Sequence, residues 1–90
     1  MKIITMDCGQ LKSAPEFHDA LAVAMEFPDY YGKNLDALFD CLTDMHQEQE
    51  LVLLNWHPFS YAVKDYAEKL MYVFRCACQE NTRLTVTLHP

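Results

Sequence analysis

The amino-acid sequence predicts an α/β fold, a three-stranded parallel sheet packed with three to four helices. Three observations carry this. Stretches of strand type open the chain, recur near its middle and close it. Segments with apolar residues at three- and four-residue spacing lie between them. A strand that reaches its neighbour through a helix makes a crossover, and crossovers join parallel strands. The 90 residues leave room for one domain, residues 1–90. A chain of this size buries roughly 60–70% of the surface its unfolded form exposes.

Each element has a local reason. Lys2 to Cys8 is rich in β-formers. Ser13-Ala14-Pro15-Glu16 is a capping box with proline in the first turn, and Phe17, Ala20, Leu21 and Ala24 then repeat at helical spacing to about Glu26. Pro28 forces Phe27 out of helical geometry and ends this first helix. Asp29-Tyr30-Tyr31-Gly32-Lys33 is a loop, with Gly32 as its flexible point. Asn34 is a good N-cap for a second helix through about Met45. Leu51 to Leu54 is apolar without alternation, as expected for a strand covered on both faces. His57-Pro58 breaks it, with room for a brief helical turn before Asp65. The last helix opens at Asp65, buries Leu70, Val73, Phe74 and Ala77, and ends near Asn81. Arg83 to Leu88 alternates Leu84, Val86 and Leu88 against Thr85 and Thr87, a strand again. Trp56 reads as packing at the end of the middle strand.

Composition narrows the function. Apolar residues make up 51% of the chain and charged residues 22%, which excludes disorder and low complexity. The longest apolar run, Ala20 to Met25, has six residues, against about 20 for a membrane span. The N-terminus has no apolar signal core, so the expected compartment is the cytoplasm. Cysteines 8, 41, 76 and 78 then read as reduced thiols. Cys76 and Cys78, two apart on a helix, diverge too far to share a metal, and neither metal nor cofactor is expected. The net charge of −6 sits in one place: seven acids between Glu26 and Glu50 face Lys33 alone. Such a field repels nucleic acid, draws in a cationic partner, and on the plainer reading only keeps the surface soluble.

The second helix has two faces. Leu35, Leu38, Phe39 and Leu42 share the packing side, while Asp36, Asp40, Thr43 and Asp44 share the other. Like charges four apart cost about 0.2–0.5 kcal/mol per pair, and this face carries two such pairs without a lysine. It is either a solvated face or a binding surface. The adjacent Tyr30 and Tyr31 either pack as a lid over the helix ends or offer aromatic contact area. Carboxylates one helical turn apart, about 5–6 Å, are spaced much as successive phosphates are, so the surface could mimic a nucleic-acid strand.

At these residues a resemblance appears. Pro28-Asp29-Tyr30-Tyr31-Gly32-Lys33-Asn34-Leu35-Asp36-Ala37-Leu38-Phe39-Asp40-Cys41-Leu42-Thr43 resembles the signature of the barstar family, intracellular inhibitors of the secreted ribonuclease barnase. The likeness continues, more weakly, through Leu51-Val52-Leu53, Val73-Phe74-Arg75 and the closing strand. It implies a barstar-like fold and a protein that plugs a ribonuclease active site. By that resemblance Asp40 enters the phosphate-binding pocket, Asp36 pairs with an arginine and Thr43 adds a hydrogen bond. Tyr30 stacks on the catalytic histidine, Tyr31, Gly32 and Asn34 shape the contacting loop, and Phe39 stands at the edge of the interface where the family usually has tryptophan. Asp44 extends the acidic face, and Glu80 is a rim residue.

Three positions depart from the family pattern: Cys76 where an acidic contact is expected, Met45 where a second interfacial tryptophan is expected, and Lys33, a positive charge inside the loop. The partner implied is a basic, barnase-like ribonuclease bound by a monomer, with no direct contact to nucleic acid or membrane. The same surface would also serve an interaction module or immunity protein for a different basic partner. Catalysis finds no support. His18, His46, His57 and His89 are scattered, and no carboxylate stands at motif spacing to orient any of them.

Overall fold

The computed structural model describes residues 1–90. Its elements are β1 (Lys2–Asp7), α1 (Ala14–Met25), α2 (Leu35–Thr43), β2 (Gln49–Leu54), α3 (Trp56–Val63), α4 (Asp65–Glu80) and β3 (Leu84–Leu88). The three strands form one parallel sheet in the order β1-β2-β3. It is the α/β architecture the sequence predicts, with four helices.

The helices lie on one face of the sheet, α1 against β1 and α4 against β3, with α2 and α3 packed on α4. Ile4, Met6, Leu51, Leu53 and Leu84 pack with Phe17, Leu21, Leu38, Leu42, Phe59, Leu70, Phe74 and Ala77 in a single core. Burial alternates along β1 and β2, so the expectation of a middle strand covered on both faces is corrected. The register sets Val52 between Thr5 and Thr87, and Glu50 between Ile3 and Thr85. These neighbours, with the Thr87 hydroxyl donating to Glu50 at 3.1 Å, half-shield Val52 on an open face. Ile3 remains 62% exposed there.

Local signals explain the helix ends. The Ser13 hydroxyl accepts from the Glu16 amide at 3.3 Å, and the Glu16 carboxylate reaches back to the Lys12 amide at 2.7 Å. At its far end α1 closes through Glu26 in the left-handed conformation, φ 57°, and Phe27 donates to the Ala22 carbonyl. α3 begins at Trp56, two residues before the expected break at Pro58. Pro58 falls in the first turn, where no intrahelical partner is needed for its missing N–H. The break is Asn55, which tolerates its left-handed φ of 56°. The Asp7 carboxylate accepts from its side-chain amide at 2.8 Å, and that bond with one from the Gly9 amide holds the Asp7 carboxyl below its usual range. Trp56 is buried in the core against Phe17 and Phe59. α3 and α4 meet at a single residue, Lys64, whose φ of 55° and ψ of −120° suit glycine.

Candidate functional site

α2 is short, amphipathic and set by its cap. The Asn34 side chain accepts from the Ala37 amide at 2.8 Å and donates to the Gly32 carbonyl at 3.2 Å, so it fixes both the helix start and the loop before it. Gly32 sits in a tight place: a Cβ there would lie 3.2 Å from Nδ2 of Asn34 and 3.3 Å from the Ala37 side chain, so both would have to give slightly. The left-handed residue is its neighbour Lys33, φ 54°, which corrects the expectation that Gly32 is the flexible point. Lys33 turns its charge onto Asp19 of α1 at 2.7 Å. The helix ends at Thr43 with Asp44 as its cap, short of the expected Met45.

The two tyrosines separate cleanly. Tyr30 is 88% exposed and Tyr31 is 7% exposed. The Tyr31 hydroxyl lies 2.6 Å from Nδ1 of His18, whose Nε2 lies 2.6 Å from the Tyr66 hydroxyl on α4. His18, itself 1% exposed, therefore ties the loop to α1 and α4. Burial pushes its pKa down, against the pull of Asp19, and burial raises both phenol pKa values. Burial favours the uncharged form of all three groups, in which imidazole and phenols share donor and acceptor roles. Phe27 packs on Tyr31 with ring centroids 4.8 Å apart. The loop is thus anchored from inside by Phe27 and Tyr31 and presents Tyr30 outward.

The other end of α2 is held by a residue that sequence reasoning passed over. Asn81, buried beyond α4, donates from Nδ2 to the carbonyls of Leu42 and Met45, each at 3.0 Å. The Leu42 carbonyl is in the last turn, where no helical partner is available, and Met45 follows the cap. Neither its type nor its place at a helix end marks it in the sequence; only the packing of α2 on α4 does.

Between these anchors the polar face of α2 stands free. Asp36, Asp40 and Asp44 are exposed, and neither ion pair of the molecule involves them. Asp36 sits in the first turn, where the helix dipole favours it, but Asp40 and Asp44 occupy the carboxyl end, where it does not. Thr43 gives its hydroxyl hydrogen to the Phe39 carbonyl at 2.8 Å, which leaves oxygen lone pairs to accept from a visiting donor. Asp40 forms a ridge between two grooves. One, of about 540 Å³, is lined by Glu26, Tyr30, Thr43, Asp44, Met45 and Gln49 among others. Gln49 brings a buried Oε1 with no hydrogen-bond partner. The second, of about 660 Å³, lies between α2 and α4 and is lined by Asp36, Phe39, Tyr72, Cys76 and Glu80. The two grooves bring together Tyr30, Asp36, Phe39, Asp40, Thr43, Asp44 and Glu80, while Gly32 and Asn34 lie outside them in the loop and cap before α2 and Tyr31 is turned inward.

The chain is similar to known proteins along nearly its whole length. A family model described as "Barstar (barnase inhibitor)" matches residues 1–89. The chain belongs to the barstar family. A relative from Bacillus subtilis (strain 168), named "Putative ribonuclease inhibitor YrdF", is 37% identical over 81 residues, 89% of this chain and 89% of its own. Within this barstar-family chain the cysteines are unpaired. Burial, with the Asp7 charge adding to it, pushes the Cys8 thiol up to about 11, and burial raises those of Cys41 and Cys78. No helix is long and apolar enough to cross a membrane.

Proposed function

We propose that this protein binds and blocks the active site of a basic, barnase-like ribonuclease, acting as a monomer in the cytoplasm without metal or cofactor. The observation that carries the reading is the ridge at Asp40. An unpaired carboxylate at the wrong end of a helix dipole, between two grooves rimmed by further acids, is suited to a dense cationic pocket. A ribonuclease must build such a pocket to hold the RNA phosphate. Asp40 occupies it in place of phosphate, Asp36 pairs with an arginine beside it, and Thr43 accepts a hydrogen bond. Tyr30 supplies the exposed ring for the catalytic histidine, with Gly32 and Asn34 setting the loop's path and Tyr31 its depth. Phe39, Asp44 and Glu80 complete the rim. Lys33, already bonded to Asp19, opposes the partner less than its sequence position implies.

Titration into barnase, followed by RNA cleavage, tests this. Stoichiometric inhibition is expected, lost by Asp40→Ala through faster dissociation, because partner cations are left buried and unpaired at a cost of about 3–5 kcal/mol. Asp36→Ala weakens binding less, and Lys64→Ala leaves it unchanged. Equal losses from Asp40→Ala and Lys64→Ala would overturn the site. Absence of inhibition at micromolar protein would move the function to another ribonuclease or another basic partner on the same face.

A further inference from the structure

We infer that Tyr72 of α4 is a specificity-determining residue of this surface, offering its ring to an arginine side chain of the ribonuclease that pairs with Asp36. The inference rests on the inhibitor reading and extends it to a residue outside the acidic helix. Tyr72 is 63% exposed and contributes nothing to the core. It lines the groove between α2 and α4, and it also lines the adjoining groove that holds Asp36, Asp65, Glu68 and Lys69. Tyr72 lines both grooves, and Asp36 lies in each.

Packing changes the charge count here. Along the sequence Asp65 and Glu68 are balanced by Lys64 and Lys69. In the fold Asp65 and Glu68 join Asp36 in one groove, where Lys69 is the sole cation, and none of these acids is in an ion pair. The charge selects a cation, and an aromatic face beside a carboxylate selects guanidinium over ammonium. Guanidinium stacks on the ring while its fork meets the carboxylate, whereas ammonium is a compact, strongly hydrated point charge.

Two titrations on the full chain test this. In the first, acetyl-arginine-amide is followed by NMR against sodium chloride at equal ionic strength. Saturable shifts clustered at Tyr72 and Asp36 are expected, weaker with acetyl-lysine-amide, lost in Tyr72→Ala and retained in Tyr61→Ala. Shifts no different from those with salt would overturn the inference. In the second, barnase inhibition is measured. Tyr72→Ala weakens affinity about 2- to 30-fold, the range of exposed to desolvated cation–π contacts, while Tyr72→Phe keeps it. Unchanged inhibition by Tyr72→Ala would also overturn the inference. Clustered arginine shifts without inhibition of barnase by the unaltered protein would overturn barnase as the partner, move the function to another ribonuclease or another basic partner, and leave the arginine groove standing.

Discussion

Replacing Tyr66 by phenylalanine removes one oxygen from the molecule and nothing from its shape. That oxygen lies 2.6 Å from Nε2 of a histidine that is 1% exposed. Neutral imidazole has one donor and one acceptor nitrogen, and the Tyr31 hydroxyl satisfies only one of them. Tyr66→Phe therefore strands a buried polar nitrogen, at about 1–3 kcal/mol. In a domain of this size each kcal/mol lowers Tm by about 4–8 °C. Tyr31→Phe strands the other nitrogen and should cost a similar amount. Urea unfolding with Tyr66→Phe in the unaltered chain and in a His18→Leu background separates packing from hydrogen bonding, because without imidazole the oxygen has nothing to satisfy there. Equal losses in both backgrounds would refute the reasoning. The same histidine sets a pH dependence. Its folded pKa lies below the unfolded value, so as pH falls through about 6.5 the unfolded chain takes up the proton first and stability drops. The loss levels off below the folded pKa. His18→Leu should flatten this segment of the stability profile between pH 7 and 5.

Asn81→Ala should destabilise by about 1–3 kcal/mol, since it leaves two carbonyls at the end of α2 without their donor; chemical denaturation measures it. Lys64→Gly should stabilise by roughly 1 kcal/mol, relief of a backbone conformation costing about 1–3 kcal/mol less the glycine entropy term, read as a higher Tm. Gln49→Met should also stabilise, by about 1 kcal/mol, by removing the buried acceptor that has no partner, read as a higher urea midpoint. A fall in Tm for either variant would count against its argument. The association rate with barnase should slow as salt rises, because screening at 0.15 M acts over about 8 Å. A rate independent of salt would argue against capture by the acidic face.

Much of the fold is legible where a single local signal decides the outcome. Ser13 and Asn34 start helices because their side chains reach amides three residues on, and the helical period of Leu35, Leu38 and Leu42 points α2 into the core against α4. The open sheet face is illegible from Leu51 to Leu54 alone, since what half-shields Val52 are threonines on two other strands. The start of α3 turns on a bond between Asp7 and Asn55, 48 positions apart. The acidic face could be read because its residues share one helix. The His18 network could not, since Tyr31 and Tyr66 come from a loop and a different helix. Nor could the role of Asn81, whose acceptors lie 39 and 36 positions away.

The carboxylates at the end of α2 have a consequence for the chain when it is alone. Asp40 and Asp44 face the negative end of their helix with no cation in its last turn, and they belong to the segment that carries the molecule's whole net charge of −6. Dissolved ions soften that repulsion, so the free protein should grow more heat-resistant as salt is added. The same ions slow its capture of a basic partner. One electrolyte thus moves the lone molecule and its encounter in opposite directions, and a cell's ionic strength sets how much of the tension in this helix is held back for the partner to release.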